Sequence, residues 1–222
     1  MEILKSLFDL FLHLDEYLAK IISDYGTWTY AILFVVIFVE TGLVVMPFLP
    51  GDSLLFAAGT FAALGSLNIW LIAGLMMVAA VLGDAVNYSI GHYLGERAYK
   101  IKWIKKEHLD KTHAFFEKHG GKAIFLARFV PIVRTFAPFV AGIGKMSYAY
   151  FATYNVVGGV TWVLTFSLLG YFFGNLEFVR KNFELVIIAI ILISVLPMFV
   201  EWWKARREAK KVDGSNVNVE TP

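Results

Sequence analysis

Apolar residues run along this chain in blocks separated by short polar interruptions. Over residues 3–22 they fall at Ile3, Leu4, Leu7, Phe8, Phe11, Leu14, Leu18, Ile21 and Ile22, with Asp9, Asp15, Glu16 and Lys20 elsewhere on the helical wheel. That spacing predicts an amphipathic helix, residues 1–24, lying along a membrane interface. An apolar segment follows at 28–46, then a broken stretch, a second apolar piece at 53–64 and a long apolar run over about 69–94. Residues 96–122 are polar and basic. The pattern then recurs as a proline-interrupted apolar segment at 123–144, a long run at about 148–173 and a last span at 185–203. The polar tail, 205–222, has a composition that predicts no packed structure.

Segments of roughly 16 to 25 residues with almost no charge match a hydrocarbon core about 30 Å thick. Composition agrees: 58% of the 222 residues are hydrophobic and 17% charged, against about 45–50% and about 25% in soluble domains. The chain therefore reads as an all-α, polytopic membrane protein. Cysteine is absent, which excludes disulfides, thiolate metal sites and cysteine nucleophiles. The net charge of +2 says little, and no nucleic acid, metal or cofactor is expected. Acidic residues interrupt the apolar positions of the N-terminus and no basic start or small-residue cleavage site is present, so it does not read as a signal peptide.

The recurrence is more than hydropathy. PFLPGDSLLFAAG (47–59) and PIVRTFAPFVAG (131–142) both open with Pro and close with Ala-Gly, and GHYLG (91–95) and GYFFG (170–174) end the long run of each half with Gly-x-x-x-Gly. This predicts inverted repeats, about 25–95 and about 123–174, each a Pro/Gly-broken hairpin plus a transmembrane helix. Such glycine pairs also permit a homo-oligomer. Basic residues crowd the 96–122 connection and follow the last span at Lys204, Arg206, Arg207, Lys210 and Lys211, which puts both regions, and the C-terminus, in the cytoplasm. The hairpin at 123–144 must then be re-entrant from that side, and its counterpart at 28–64 from the other. A competing reading makes 28–46 a complete crossing with the N-terminus inside.

A chain leaves helical geometry at membrane depth only where the freed backbone faces protein or water. Pro47, Pro50 and Gly51 in the first half, and Pro131 and Pro138 in the second, therefore mark hairpin breaks beside a cavity. Leaving out the polar connection and His92 at a span end, six ionisable groups lie between 28 and 174: Glu40, Asp52, Asp84, Arg128, Arg134 and Lys145. Each costs roughly 2.5–3.5 kcal/mol at a helix centre, so each needs a partner, a wet cavity or a use. The acids all lie in the first half and the bases in the second, so bringing the hairpins together would neutralise them in one central site. Arg128 and Arg134 flank Pro131, and a break there turns both planar forks toward one pocket suited to a phosphate. Glu40 and Asp52 read as groups that exchange a proton near neutral pH. A pair of structural salt bridges is the bland alternative. Asp84 reads first as a local cap near Asn87 and Tyr88, and Lys145 as a snorkelling side chain.

FVETG (38–42), FLPGDSLLF (48–56), GDAVNYSIGHYLG (83–95) and ARFVPIVRTFAPFVAG (127–142) resemble the DedA family, the bacterial branch of a wider SNARE-associated, VTT-domain superfamily. The resemblance covers roughly residues 25–205, with 25–204 as its membrane domain. It implies that Glu40, Asp52, Arg128 and Arg134 are the required residues. It also implies a proton-dependent flippase that moves polyprenyl phosphate, as undecaprenyl phosphate, across the cytoplasmic membrane of a bacterium, with that lipid, protons and the surrounding membrane lipids as partners. A proton-coupled cation or drug antiporter and a non-selective phospholipid scramblase are the alternatives. A lipid phosphatase would need a nucleophile and a general acid; none of the five histidines lies in either hairpin, so no enzyme is expected. A membrane scaffold whose basic surface binds anionic lipid heads would need fewer intramembrane charges.

Overall fold

A computed structural model describes residues 14–43, 51–95, 110, 112–114, 116, 119–174, 176–182, 185–186 and 189. Pro47, Pro50, the C-terminal tail and most of the basic connection and last span fall outside them. Every element among the described residues is helical. They are α1 (Leu14–Tyr25), α2 (Trp28–Gly42), α3 (Gly51–Ala63), α4 (Ile69–Leu94), a 3-10 turn (Gly120–Lys122), α5 (Ala123–Ala127), α6 (Pro131–Ile143), α7 (Tyr148–Phe173) and α8 (Glu177–Lys181).

Local chemistry sets the boundaries. The Asn68 side chain accepts from the amides of Trp70 at 3.0 Å and Leu71 at 3.1 Å, capping α4, and Gly95 closes it at a φ of 51°. Val130 is extended, φ −122° and ψ 104°, as a residue before proline prefers, and Pro131 takes the first helical position, where its missing N–H costs nothing. This separates α5 from α6. Pro138, expected as a second break, lies inside α6 instead. It only deprives the Arg134 carbonyl, four residues back, of its amide partner, and the helix runs through. α4 and α7, 26 residues each, are long and apolar enough to cross a membrane, spanning about 39 Å at 1.5 Å per residue.

The apolar stripe of α1 faces protein rather than only an interface: Leu18 is fully buried in a core with Leu33, Leu55 and Ile72. α3 packs on α7, α4 on α6, and α2 and α7 also lie against α4. The two principal contacts use the same device. A Cβ on Gly59 would overlap the carbonyl oxygen of Ser167, and one on Gly170 that of Phe56. Likewise, a Cβ on Gly142 would overlap the carbonyl oxygen of Tyr88, and one on Gly91 that of Phe139. The Ala-Gly that closes each broken segment thus sits on the first glycine of the Gly-x-x-x-Gly in the other half. These glycines serve packing within the chain.

Gly142→Ala and Gly170→Ala place a carbon against backbone that cannot rotate away, and each is expected to lower stability in detergent by about 1–3 kcal/mol. Gly74→Ala, on a face of α4 with nothing within 4 Å, should leave thermal unfolding unchanged. Equal effects at all three positions would refute the close-contact account.

Candidate functional site

The last turn of α2 carries Glu40 and the first turn of α3 carries Asp52. Both meet Arg134, which lies in the first turn of α6. One guanidinium nitrogen, Nη1, donates to Asp52 Oδ1 at 2.7 Å, and the other, Nη2, donates to Glu40 Oε1. The Gly51 amide at the start of α3 also donates to Glu40 Oε1, at 3.3 Å. A side chain at Gly51 would overlap the Glu40 carboxylate, so the carboxylate sits directly on the positive end of α3. Trp162 Nε1 donates to Asp52 Oδ1 at 2.8 Å.

Arg128, in the turn between α5 and α6, has a different set of partners. Its Nη2 donates to Asp84 Oδ2 at 2.5 Å and to Asn155 Oδ1 at 2.5 Å. Asn155 is itself fixed, donating to the Val81 carbonyl at 3.0 Å. The stem of Arg128 lies against Gly158 of α7, where a Cβ would come within 3.1 Å of its Cδ, and its guanidinium lies against Gly159. The guanidiniums of Arg128 and Arg134 both approach the ring of Trp162, at 5.9 and 4.9 Å from its centroid, close enough for cation–π attraction. Asn87 ties the surrounding helices together by donating to the carbonyls of Thr41 at 3.0 Å and Thr135 at 2.9 Å.

Between these groups lies a cavity of about 10 Å³, lined by Glu40, Thr41, Asp84, Arg128, Arg134, Thr135 and Trp162. That volume is about enough for one water. Among the described residues no group of His, Asp and Glu is arranged to hold a metal ion. Buried ion pairs in such surroundings are expensive to form and more expensive to leave half-made, yet Glu40 Oε2 and Arg128 Nε are buried without a hydrogen-bond partner.

The arrangement brings Glu40, Asp52, Arg128 and Arg134 to one place. Asp84 joins them as the ion partner of Arg128 rather than a cap near Asn87 and Tyr88, because it lies on the face of α4 turned toward the α5–α6 break. Gly51 and Pro131 stand at the helix starts beside the site. Lys145 is an exposed turn residue with a φ of 54° and takes no part. Trp162, Asn155 and Asn87 are absent from a tally of ionisable groups; the signal for them was a polar hydrogen-bonding side chain in mid-span, away from the interfaces where such residues usually sit.

An all-helical chain with spanning-length apolar helices and a cluster of paired charges near their middles is an integral membrane protein built around a polar centre. Residues 49–172 match the VTT domain. The chain is 53% identical over 216 residues to Protein DedA of Escherichia coli (strain K12), covering 95% of this chain and 99% of that one. It is 42% identical over 186 residues to an uncharacterized membrane protein of Mycobacterium leprae, covering 82% and 83%. Identity to inner membrane protein YqjA of Escherichia coli is 35% over 170 residues, covering 75% and 77%. No solved structure matches the chain. The chain belongs to the DedA family of membrane proteins.

A double-mutant cycle tests the Arg128–Asp84 pair. Asp84→Ala leaves a buried guanidinium uncompensated and is expected to lower stability by about 3–5 kcal/mol, whereas Asp84→Asn with Arg128→Gln should lose much less than the sum of the single changes. Additive losses in thermal unfolding would mean that the two side chains do not interact.

Proposed function

We propose that this chain is a proton-motive-force-dependent flippase that returns a polyprenyl phosphate, undecaprenyl phosphate, to the cytoplasmic leaflet of a bacterial cytoplasmic membrane. The observation that carries this reading is the half-buried, forked guanidinium of Arg134, held by two carboxylates. A planar fork in a dry site holds a phosphate by paired hydrogen bonds, and carboxylates that can take up protons are groups able to release it. Arg128 adds positive charge to the same cavity. The prenyl tail stays in lipid while the headgroup passes the centre, and the carrier is moved rather than chemically altered.

The reading includes a topology: two inverted repeats, each broken hairpin re-entering from its own side, with the 96–122 connection and the C-terminus in the cytoplasm. The reciprocal glycine contacts of α3 on α7 and α6 on α4 support it, since a two-fold relation between halves produces each contact twice. A tag near Lys106 and one after Lys211 should both report cytoplasm, and one near Leu67 the opposite side. Agreement between the Leu67 and Lys106 tags would remove the inverted-repeat arrangement.

A second reading, a proton-coupled cation or drug antiporter, draws on the excess of acids, three carboxyls against two guanidiniums. A leaflet-resolved assay in liposomes with an imposed proton gradient separates the two. Undecaprenyl phosphate should move, and its pyrophosphate and ordinary phospholipids should not. Arg134→Lys, which keeps charge but loses the fork, should slow movement at least about tenfold, the equivalent of 1.4 kcal/mol. Equal movement of all three lipids would make the protein a non-selective scramblase, and gradient-driven cation movement without lipid movement would favour the antiporter.

A further inference from the structure

The two arginines are not equivalent. Arg128 is held by Asp84 and Asn155, which lie well inside the 26-residue helices α4 and α7. Arg134 is held by Glu40 and Asp52, which lie at the end of α2 and the start of α3, on either side of the broken stretch. The partners of Arg128 sit within long helices; those of Arg134 sit on helix ends. The space beside them, about 10 Å³, takes a water and no more. A phosphate, several times larger, cannot be added to this site. It enters only where a present occupant leaves.

We propose that Glu40 and Asp52 are intramolecular stand-ins for the phosphate: a phosphate monoester binds by taking their place on the Arg134 fork and the Gly51 amide, while Arg128 stays locked to Asp84 and Asn155. The Glu40 carboxylate already occupies the seat an anion would choose, accepting from Arg134 and from the amide at the start of the 13-residue helix α3. Its second oxygen, buried with no partner, is the place for a proton once the fork is lost. Around this pair stand Asp84 from α4, Arg128 from the α5–α6 turn and Arg134 from α6, while α7 contributes Trp162 and no ionisable group to the cavity. Among the described groups around the cavity Arg128 is already paired with Asp84, so a carboxylate displaced there is neutralised by protonation. Phosphate binding and proton uptake are thereby one event, and binding strengthens as pH falls. The inference rests on the phosphate-carrying function proposed above and specifies how that site is regulated.

The test uses the purified full-length chain in detergent at about pH 8, where a phosphate monoester is a dianion because its second pKa is about 6. Farnesyl phosphate and, separately, inorganic phosphate are titrated calorimetrically in buffers of different ionisation enthalpy, which yields the protons taken up. Wild type should take up about one to two protons per farnesyl phosphate, with affinity rising up to about tenfold per pH unit lowered for each proton. Glu40→Gln and Asp52→Asn should each bind more tightly at high pH and take up fewer protons. Lys145→Gln, in an exposed turn away from the cavity, should keep wild-type uptake. Binding with no net uptake by wild type overturns the exchange and leaves the flippase standing, and does so even if a variant fails to fold. Loss of uptake in Lys145→Gln alone overturns the assignment of roles. Inorganic phosphate binding as tightly as the prenyl ester, with the same uptake, keeps the exchange but removes the lipid. No binding of either probe overturns both proposals.

Discussion

The half-buried pairing of Arg134 with Glu40 and Asp52 constrains everything around it. A permanently charged guanidinium in an apolar helical bundle is tolerated only with close, well-aligned anions, and here those anions come from a different half of the chain. Neither partner reaches without a break in the helices. Glu40 and Asp52 are brought together because α2 ends at Gly42 and α3 starts at Gly51, and Arg134 is aimed at them because α6 starts anew at Pro131. An unbroken helix from Ala123 to Ile143 would give Arg128 and Arg134 one fixed angular relation. The break lets each find its own acid.

Close backbone approach is the second requirement. Side chains of fixed length bridge two halves only if the helices carrying them are near, and α3 meets α7, as α4 meets α6, through glycines set against carbonyl oxygens. Such contacts are how helices associate where hydrophobic burial gives little drive. Asn87, bonded to carbonyls on α2 and α6, adds polar ties across the same junctions. Packing and electrostatics here are a single design: loosening a glycine contact lengthens an ion pair.

Much of this was legible in the sequence, and what was not has a physical reason. The extents of α4 and α7 followed from charge-free length, while the apolar pieces at 28–46 and 53–64 correspond to helices at 28–42 and 51–63. Segregation of acids and bases between halves pointed to pairing across the halves. Which acid pairs with which base did not follow, because that depends on the register of α4 against the α5–α6 turn, and hydropathy carries no register. Asp84 therefore read as a local cap. Pro138 read as a break because proline removes a hydrogen bond, yet one lost bond inside a well-packed helix does not end it. Trp162 and Asn155 were invisible to a search for charges, although each completes the bonding of a charged group.

Charge conservation ties these features to the proposed transport. With all five groups ionised, three carboxylates and two guanidiniums give the centre one negative charge. If a dianionic phosphate replaces Glu40 and Asp52 on Arg134, and both carboxyls are protonated as they leave, the centre again carries one negative charge. If the phosphate arrives as a monoanion, protonation of one carboxyl keeps the same balance. The exchange therefore needs no net charge to be moved into a region where solvating it is costly, and the number of protons taken up equals the charge on the phosphate. A phosphate and its matching protons crossing together would carry no net charge, so the membrane potential would do no work on them and the pH difference would. Arg128 in the α5–α6 turn and Asp84 on α4, paired with each other, stay outside this account, and their constancy would let the exchange at Arg134 balance.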